Sequence, residues 1–218
     1  MELDNTSTWD GVTLRSSYSG WVLEGRDQLA DAAKAGDWQT VFDVLGRQRD
    51  WVNGARVGGT SGYAPLHQAA WHGAPTDVVL RLVELGAWRT ARTAKGDRAV
   101  DIADRRGHRH LVEPLKPVIR HQVPARTIAA IQQHFYGVIR GRVNDLVTEQ
   151  QLRMPELEPL TELRSPACWF PVPGMYGGFN YHLERDELVS SWMRVVGGSG
   201  QRHIITEHGA RLVDEGFV

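Results

Sequence analysis

Gly62, Leu66, Ala69 and Gly73 are each followed, 34 residues later, by Gly96, Val100, Ala103 and Gly107. One offset shared by four positions constrains the chain more than composition does. A period of that length holds two short helices and a turn, and such a pair cannot bury its apolar face without stacked neighbours. The segment Leu29-Ala30-Asp31-Ala32-Ala33-Lys34-Ala35-Gly36-Asp37 carries the same order of Leu, Ala-Ala and Gly, and its Gly36 precedes Gly73 by 37 residues.

The central period has its own local logic. Pro65 suits the first turn of a helix, where its missing N–H would have no partner. Leu66, Ala69 and Ala70 share one face at spacings of three and four, and the small alanines admit a close neighbour. Gly73 and Gly86 supply the positive φ that ends a helix, and Val78, Val79, Leu82, Val83 and Leu85 make the second helix apolar.

The run Gly62-Tyr63-Ala64-Pro65-Leu66-His67-Gln68-Ala69-Ala70-Trp71-His72-Gly73, with Val78 to Ala87 after it, closely resembles one ankyrin repeat. The resemblance spans residues 28–118, with a first repeat at 28–53. The third repeat departs from it, with Asp101 at the place of His67, Ala99 at the place of Pro65, and Pro114 shortening the second helix. Ala64 stands where the family has a capping threonine, which forfeits about 1 kcal/mol.

The resemblance implies a non-enzymatic scaffold that recognises a partner protein. It implies that Trp71 and His72, just before the helix-ending glycine, point into the concave binding face, with Lys34 and Ala35, and Arg105 and Arg106, as counterparts. Trp88, Arg89 and Arg92 fall on the next loop. Tryptophan and arginine are residue types favoured at interface hot spots. His67 is implied to hydrogen-bond backbone of the adjoining loop. Small bacterial proteins of this shape serve as accessory, inhibitor or immunity factors.

Outside the repeats the signals differ. Residues 1–27 carry Trp9 and Trp21 without helical period, and read as an extended segment packing both tryptophans onto the stack. After the prolines at 117 and 124, residues 119–218 read as an α+β domain. Ile128, Ile131, Phe135, Val138, Ile139 and Leu146 recur at helical spacing, with Thr127 as N-cap. Gly137 and Gly141 share one face of that helix, which suggests a backbone packed closely against them. The proline-rich stretch 152–173 reads as extended and turn-rich, and antiparallel strands follow at 179–185, 188–196, 202–206 and 211–218, with a glycine loop at 197–200. The expected fold is therefore α+β: a short ankyrin-like helical stack, then a small domain with one long helix and an antiparallel sheet.

Composition excludes several classes. With 218 residues, 41% apolar, 23% charged and a net charge of −1, the chain is neither disordered nor globally basic. Cys168 is the single cysteine, so an intramolecular disulfide and a CxxC metal site are ruled out. The first residues lack signal-peptide features and no run of eighteen apolar residues occurs, so the expectation is a cytoplasmic protein without a membrane span. Residues 89–126 hold ten basic against four acidic residues, a net of +6, which can meet an acidic surface or a nucleic-acid backbone.

Other candidate chemistry is thinner. The loop Gly54 to Gly62 is glycine-rich, but Tyr63-Ala64-Pro65 stands where a phosphate loop needs Gly-Lys-Ser/Thr. His182, His203 and His208 with Glu184 and Glu207 fit no metal-ligand spacing, and Cys168 has no local catalytic signature. Neither a catalytic residue, nor a metal, nor a cofactor is expected. Gly174-Met175-Tyr176-Gly177-Gly178-Phe179-Asn180-Tyr181 can line a flat pocket, which leaves open an enzyme or small-ligand domain that the repeats deliver to its target.

Overall fold

Gly36, Gly73 and Gly107 adopt φ of 77°, 62° and 78° and close three helices with the same hydrogen bond. Asp37 N–H donates to Ala32 O (2.9 Å), Ala74 N–H to Ala69 O (3.0 Å) and His108 N–H to Ala103 O (2.9 Å). This is the wrapped helix end that a left-handed residue permits, and glycine adopts it without a Cβ penalty. The computed structural model describes residues 6–185, 187–194 and 200–216. It divides into a helical unit, residues 14–118, and a sheet unit formed by residues 1–13 and 119–218, an α+β chain.

The helical unit contains α1 (Gly20–Ala35), α2 (Trp38–Arg47), α3 (Pro65–His72), α4 (Thr76–Glu84), α5 (Ala99–Arg105) and α6 (Arg109–Leu115). They form three pairs, and α3 lies between α1 and α5. The close approach follows from side-chain size, since Ala33, Ala69, Ala70 and Ala103 are fully buried along this inner row. Val41, Leu45, Val79, Leu82, Leu111 and Leu115 fill the space between inner and outer helices. At about 1.5–3 kcal/mol for each large apolar side chain, this burial holds helices too short to persist alone.

Helix starts show a second recurrence. Ala64 has no side-chain acceptor, so the third helical residue reaches back instead, and Ala64 N–H donates to His67 Nδ1 (3.2 Å). One period later Arg98 N–H donates to Asp101 Oδ2 (2.8 Å). The change from His67 to Asp101 thus conserves the local function. The first pair departs from expectation, because α1 begins at Gly20, inside the segment read as extended, and Trp21 on it is 64% exposed.

In the sheet unit, β1 (Ser7–Thr8), β2 (Ala167–Val172), β3 (Gly177–Glu184), β4 (Glu187–Arg194), β5 (Gly200–Thr206) and β6 (Gly209–Gly216) lie in sequence order. The first pairing is parallel and the others are antiparallel. Helix α7 (Ala125–Glu149) packs on β4, β5 and β6. Its Phe135 meets the rings of Tyr181 (5.0 Å) and Phe179 (6.3 Å).

Strand β2 falls in the stretch read as irregular. Pro171 is tolerated because β1 pairs only with Cys168 and Trp169, leaving the outer edge at Pro171 without a ladder bond to lose. On the other side, a Cβ at Gly178 would lie 2.1 Å from Phe170 O, so only glycine fits there.

Further corrections concern the sheet unit. Trp9 is buried in it: the indole Nε1–H donates to Arg153 O (3.0 Å) and Arg153 N–H donates to Gly11 O (2.7 Å). The N-terminal segment therefore belongs to the sheet through residue 13. Helix α7 starts at Ala125, and Thr127 donates its hydroxyl to Glu207 Oε2 (2.9 Å) instead of capping. Among the described residues nothing lies within 4 Å of a Cβ built at Gly137 or Gly141; α7 breaks at Val143 (φ −137°, ψ 31°) just beyond them. The expected loop at 197–199 and the strand ends at 195–196 and 217–218 lie outside the described residues. Among the described residues, no helix is long and apolar enough to cross a membrane.

Candidate functional site

Trp71 is 42% exposed in the last turn of α3. Tyr63 meets it edge-on, with centroids 6.2 Å apart at 77°, and the Arg106 guanidinium carbon lies 3.9 Å from the ring centroid. Three residues from two periods thus form one aromatic and cationic platform. The helix ends beneath it are tied together. A carbonyl only accepts, so His72 Nε2–H donates to Lys34 O (2.9 Å) and His108 Nε2–H donates to Trp71 O (3.2 Å). Each histidine satisfies an orphan carbonyl at the end of the preceding inner helix.

Beside the platform a hollow of about 320 Å³ runs between α1, α3 and the loop joining the first two pairs. Leu29, Ala30, Ala33, Tyr63 and Pro65 supply apolar wall, with Lys34 and Gln68 among the polar lining. The glycine-rich loop is held by Arg26, whose Nη2–H donates to Ala55 O (3.3 Å), and by Arg56, which pairs with Asp27 and Asp31.

The seven residues singled out from sequence separate into two groups. Trp71, His72, Arg105 and Arg106 are exposed along the ends of α3 and α5. Arg105 binds Asp97 through both terminal nitrogens (2.5 and 3.2 Å), which raises its own pKa and holds the Asp97 carboxyl below its ordinary value. Trp88 is 6% exposed and packs inside the helical unit, because its backbone N–H is anchored to Asn53 Oδ1 (2.8 Å). Arg89 donates to Pro114 O (2.9 Å) and Arg92 to Gly96 O (2.8 Å), so both staple backbone. Those three positions are structural and leave the candidate face.

The same accounting weakens the nucleic-acid reading of residues 89–126. Arg89, Arg92, Arg105 and Lys116 have intramolecular oxygen partners, and Arg120 donates to Glu162 O (3.1 Å). Five of the ten cations behind the +6 excess are thus engaged within the molecule. Sequence alone does not single out Tyr63, which completes the platform; its signal is an aromatic two positions before the helix-opening proline.

The sheet unit offers little chemistry. Cys168 is buried, and burial pushes its thiol up to about 11, away from the thiolate that a nucleophile needs. Tyr181 and His203 both lie opposite Ser190 in the ladder and share a sheet face, while His182 is one residue along β3, on the other. Among the described residues no cluster of three metal-ligating side chains occurs. A hollow of about 600 Å³ does lie where α7 breaks, lined by Arg140, Arg142, Asn144, Asp145, Met175 and Tyr176 among others. Tyr176 is 76% exposed with φ 53°, an uncommon conformation for an aromatic residue.

No protein-family model matches the chain. No curated protein matches it either. Among solved structures, one similar chain lies in the complex of a predatory endopeptidase from Bdellovibrio bacteriovorus with an immunity protein: 23% identity, 40% of this chain, 42% of that chain and a TM-score of 0.35. This chain thus spans under half of that one's length, and a likeness of this degree says nothing about function.

Proposed function

We propose that the helical unit is a short ankyrin-type stack whose inner-helix face recognises a partner protein, with Trp71 at its centre. The observation that carries this reading is the exposed Trp71 ring fixed between Tyr63 and Arg106 beside a half-apolar groove. An immobilised aromatic and arginine pair is what interface anchors are made of. The capture of a partner from native lysate on the full-length chain tests it. Trp71→Ala should melt close to the wild type yet weaken the captured partner about 30-fold, the effect of losing about 2 kcal/mol. Unchanged affinity in a folded variant overturns the reading.

A second reading, small-ligand binding by the sheet unit, is favoured by the hollow at the break of α7, with the exposed Tyr176 ring at its rim. Thermal-shift screening against metabolites tests it. A stabilising compound whose effect disappears in both Tyr176→Ala and Arg140→Ala supports the reading, and an empty screen counts against it.

A further inference from the structure

Charge pairing across the candidate face leaves a residue with defined chemistry. Arg56 is spent on Asp27 and Asp31, Arg15 on Asp27, and Arg105 on Asp97. Among the described residues, Arg106 and Lys34 have no side-chain hydrogen bond or ion pair. Both lie at the ends of inner helices, Lys34 on α1 and Arg106 just past α5, with Trp71 on α3 between those two helices. Asp104, the nearest acid on α5, falls about 200° round that helix from Arg106.

Arg106 lies over Trp71 at 3.9 Å. A guanidinium held by its face keeps the in-plane N–H fork for another partner, and that fork matches a carboxylate bidentately. Holding it in place beforehand removes part of the ordering cost of binding. Neighbouring helix axes lie about 8–10 Å apart, so Lys34 on α1 stands on the order of 10 Å from the guanidinium seated over Trp71 on α3, a span that about three extended residues cover. The groove wall of Leu29, Ala30, Ala33 and Tyr63 lies within that span and suits an apolar side chain.

We infer that the partner presents an acidic extended segment, with one carboxylate on Arg106, a second on Lys34 about three residues away, and an apolar residue between them against the groove and Trp71. The inference rests on the partner-binding reading above and deepens it.

A phage-displayed random 12-residue peptide library, panned on the full-length chain with Trp71→Ala as counter-selection, supplies the probe. The selected peptides should carry two acids about three residues apart flanking an apolar residue. By fluorescence polarisation, Arg106→Gln should weaken the best peptide about tenfold or more, Arg106→Lys less, and Arg106→Glu should accept the peptide whose facing acid is changed to arginine. Trp71-dependent peptides without acidic preference, or indifferent to Arg106→Gln, overturn this inference while the binding reading stands. If no Trp71-dependent peptide emerges, both fall. A fluorescein-labelled single-stranded 12-mer DNA that binds with the same Arg106 dependence assigns the cations to phosphate and also overturns the inference.

Discussion

Arg105 grips Asp97 at the two positions where, one period earlier, Trp71 meets Tyr63. The spacing of eight residues is the same in both pairs, so the loop-to-helix clasp is retained while its chemistry changes from aromatic to ionic. The Arg105 hydrogen bond is the largest cause of the lowered Asp97 pKa. In Arg105→Gln the Asp97 carboxyl, followed by carbon NMR, should therefore titrate closer to the ordinary 3.8. A titration that does not move would assign the shift to Lys95 or to His67.

His67 is nearly inaccessible and bonded at both nitrogens. Nδ1 accepts from Ala64 N–H, which makes Nε2–H the donor to Ala91 O (3.0 Å). One imidazole thus joins a helix start to the following loop. His67→Ala strands two buried backbone groups and opens a cavity, and should cost about 2–4 kcal/mol in urea unfolding. A loss below about 1 kcal/mol would show that water replaces the ring.

The repeat period was legible because glycine at positive φ and alanine at a close helix contact are choices that backbone geometry forces on sequence. The platform was legible only in part. Trp71 and Arg106 follow from their place before or near the helix-ending glycine, whereas Trp88, Arg89 and Arg92 sit on a loop held by the Trp88 backbone N–H on Asn53 Oδ1 and by the two arginines on the carbonyls of Pro114 and Gly96, a matter of tertiary hydrogen bonding with no local pattern. Strand β2 was hidden by Pro171, which is harmless on an edge that sequence does not reveal. The α7 glycines likewise hid a break.

Burial lowers the pKa of His182 and of His203, and the buried Nδ1 of His203 has no hydrogen-bond partner among the described residues. The unfolded chain then binds protons first as pH falls. Stability is whole above the ordinary 6.5 and declines between that value and the lowered folded ones. A second loss follows below 3.8, as Asp27, Asp37 and Asp97 protonate, each held low in the folded state chiefly by Arg15, Thr40 and Arg105 respectively. Melting temperatures at pH 7.5, 5.5 and 3 should fall stepwise, and the paired change His182→Asn with His203→Asn should flatten the first step alone. A first step that survives this change would place the proton uptake elsewhere.

Trp9 shows how far a terminal segment can be claimed by distant chain. Its indole donates to Arg153 O and lies under the Arg153 guanidinium (4.8 Å), whose Nη2 pairs with Glu156. Residues 7–8 add a parallel edge to β2, and Thr13 donates its hydroxyl to Gln151 O (2.6 Å). Removing this ring should cost about 3–5 kcal/mol, whereas Trp9→Phe keeps most of the apolar contact and loses mainly the bond to Arg153 O, about 1–2 kcal/mol. Hydrogen exchange locates the effect. In Trp9→Ala the amides of β2 and of residues 151–153 should lose protection while those of α3 and α5 keep theirs, and a loss spread over the helical unit would restore the expectation that this tryptophan serves the helices.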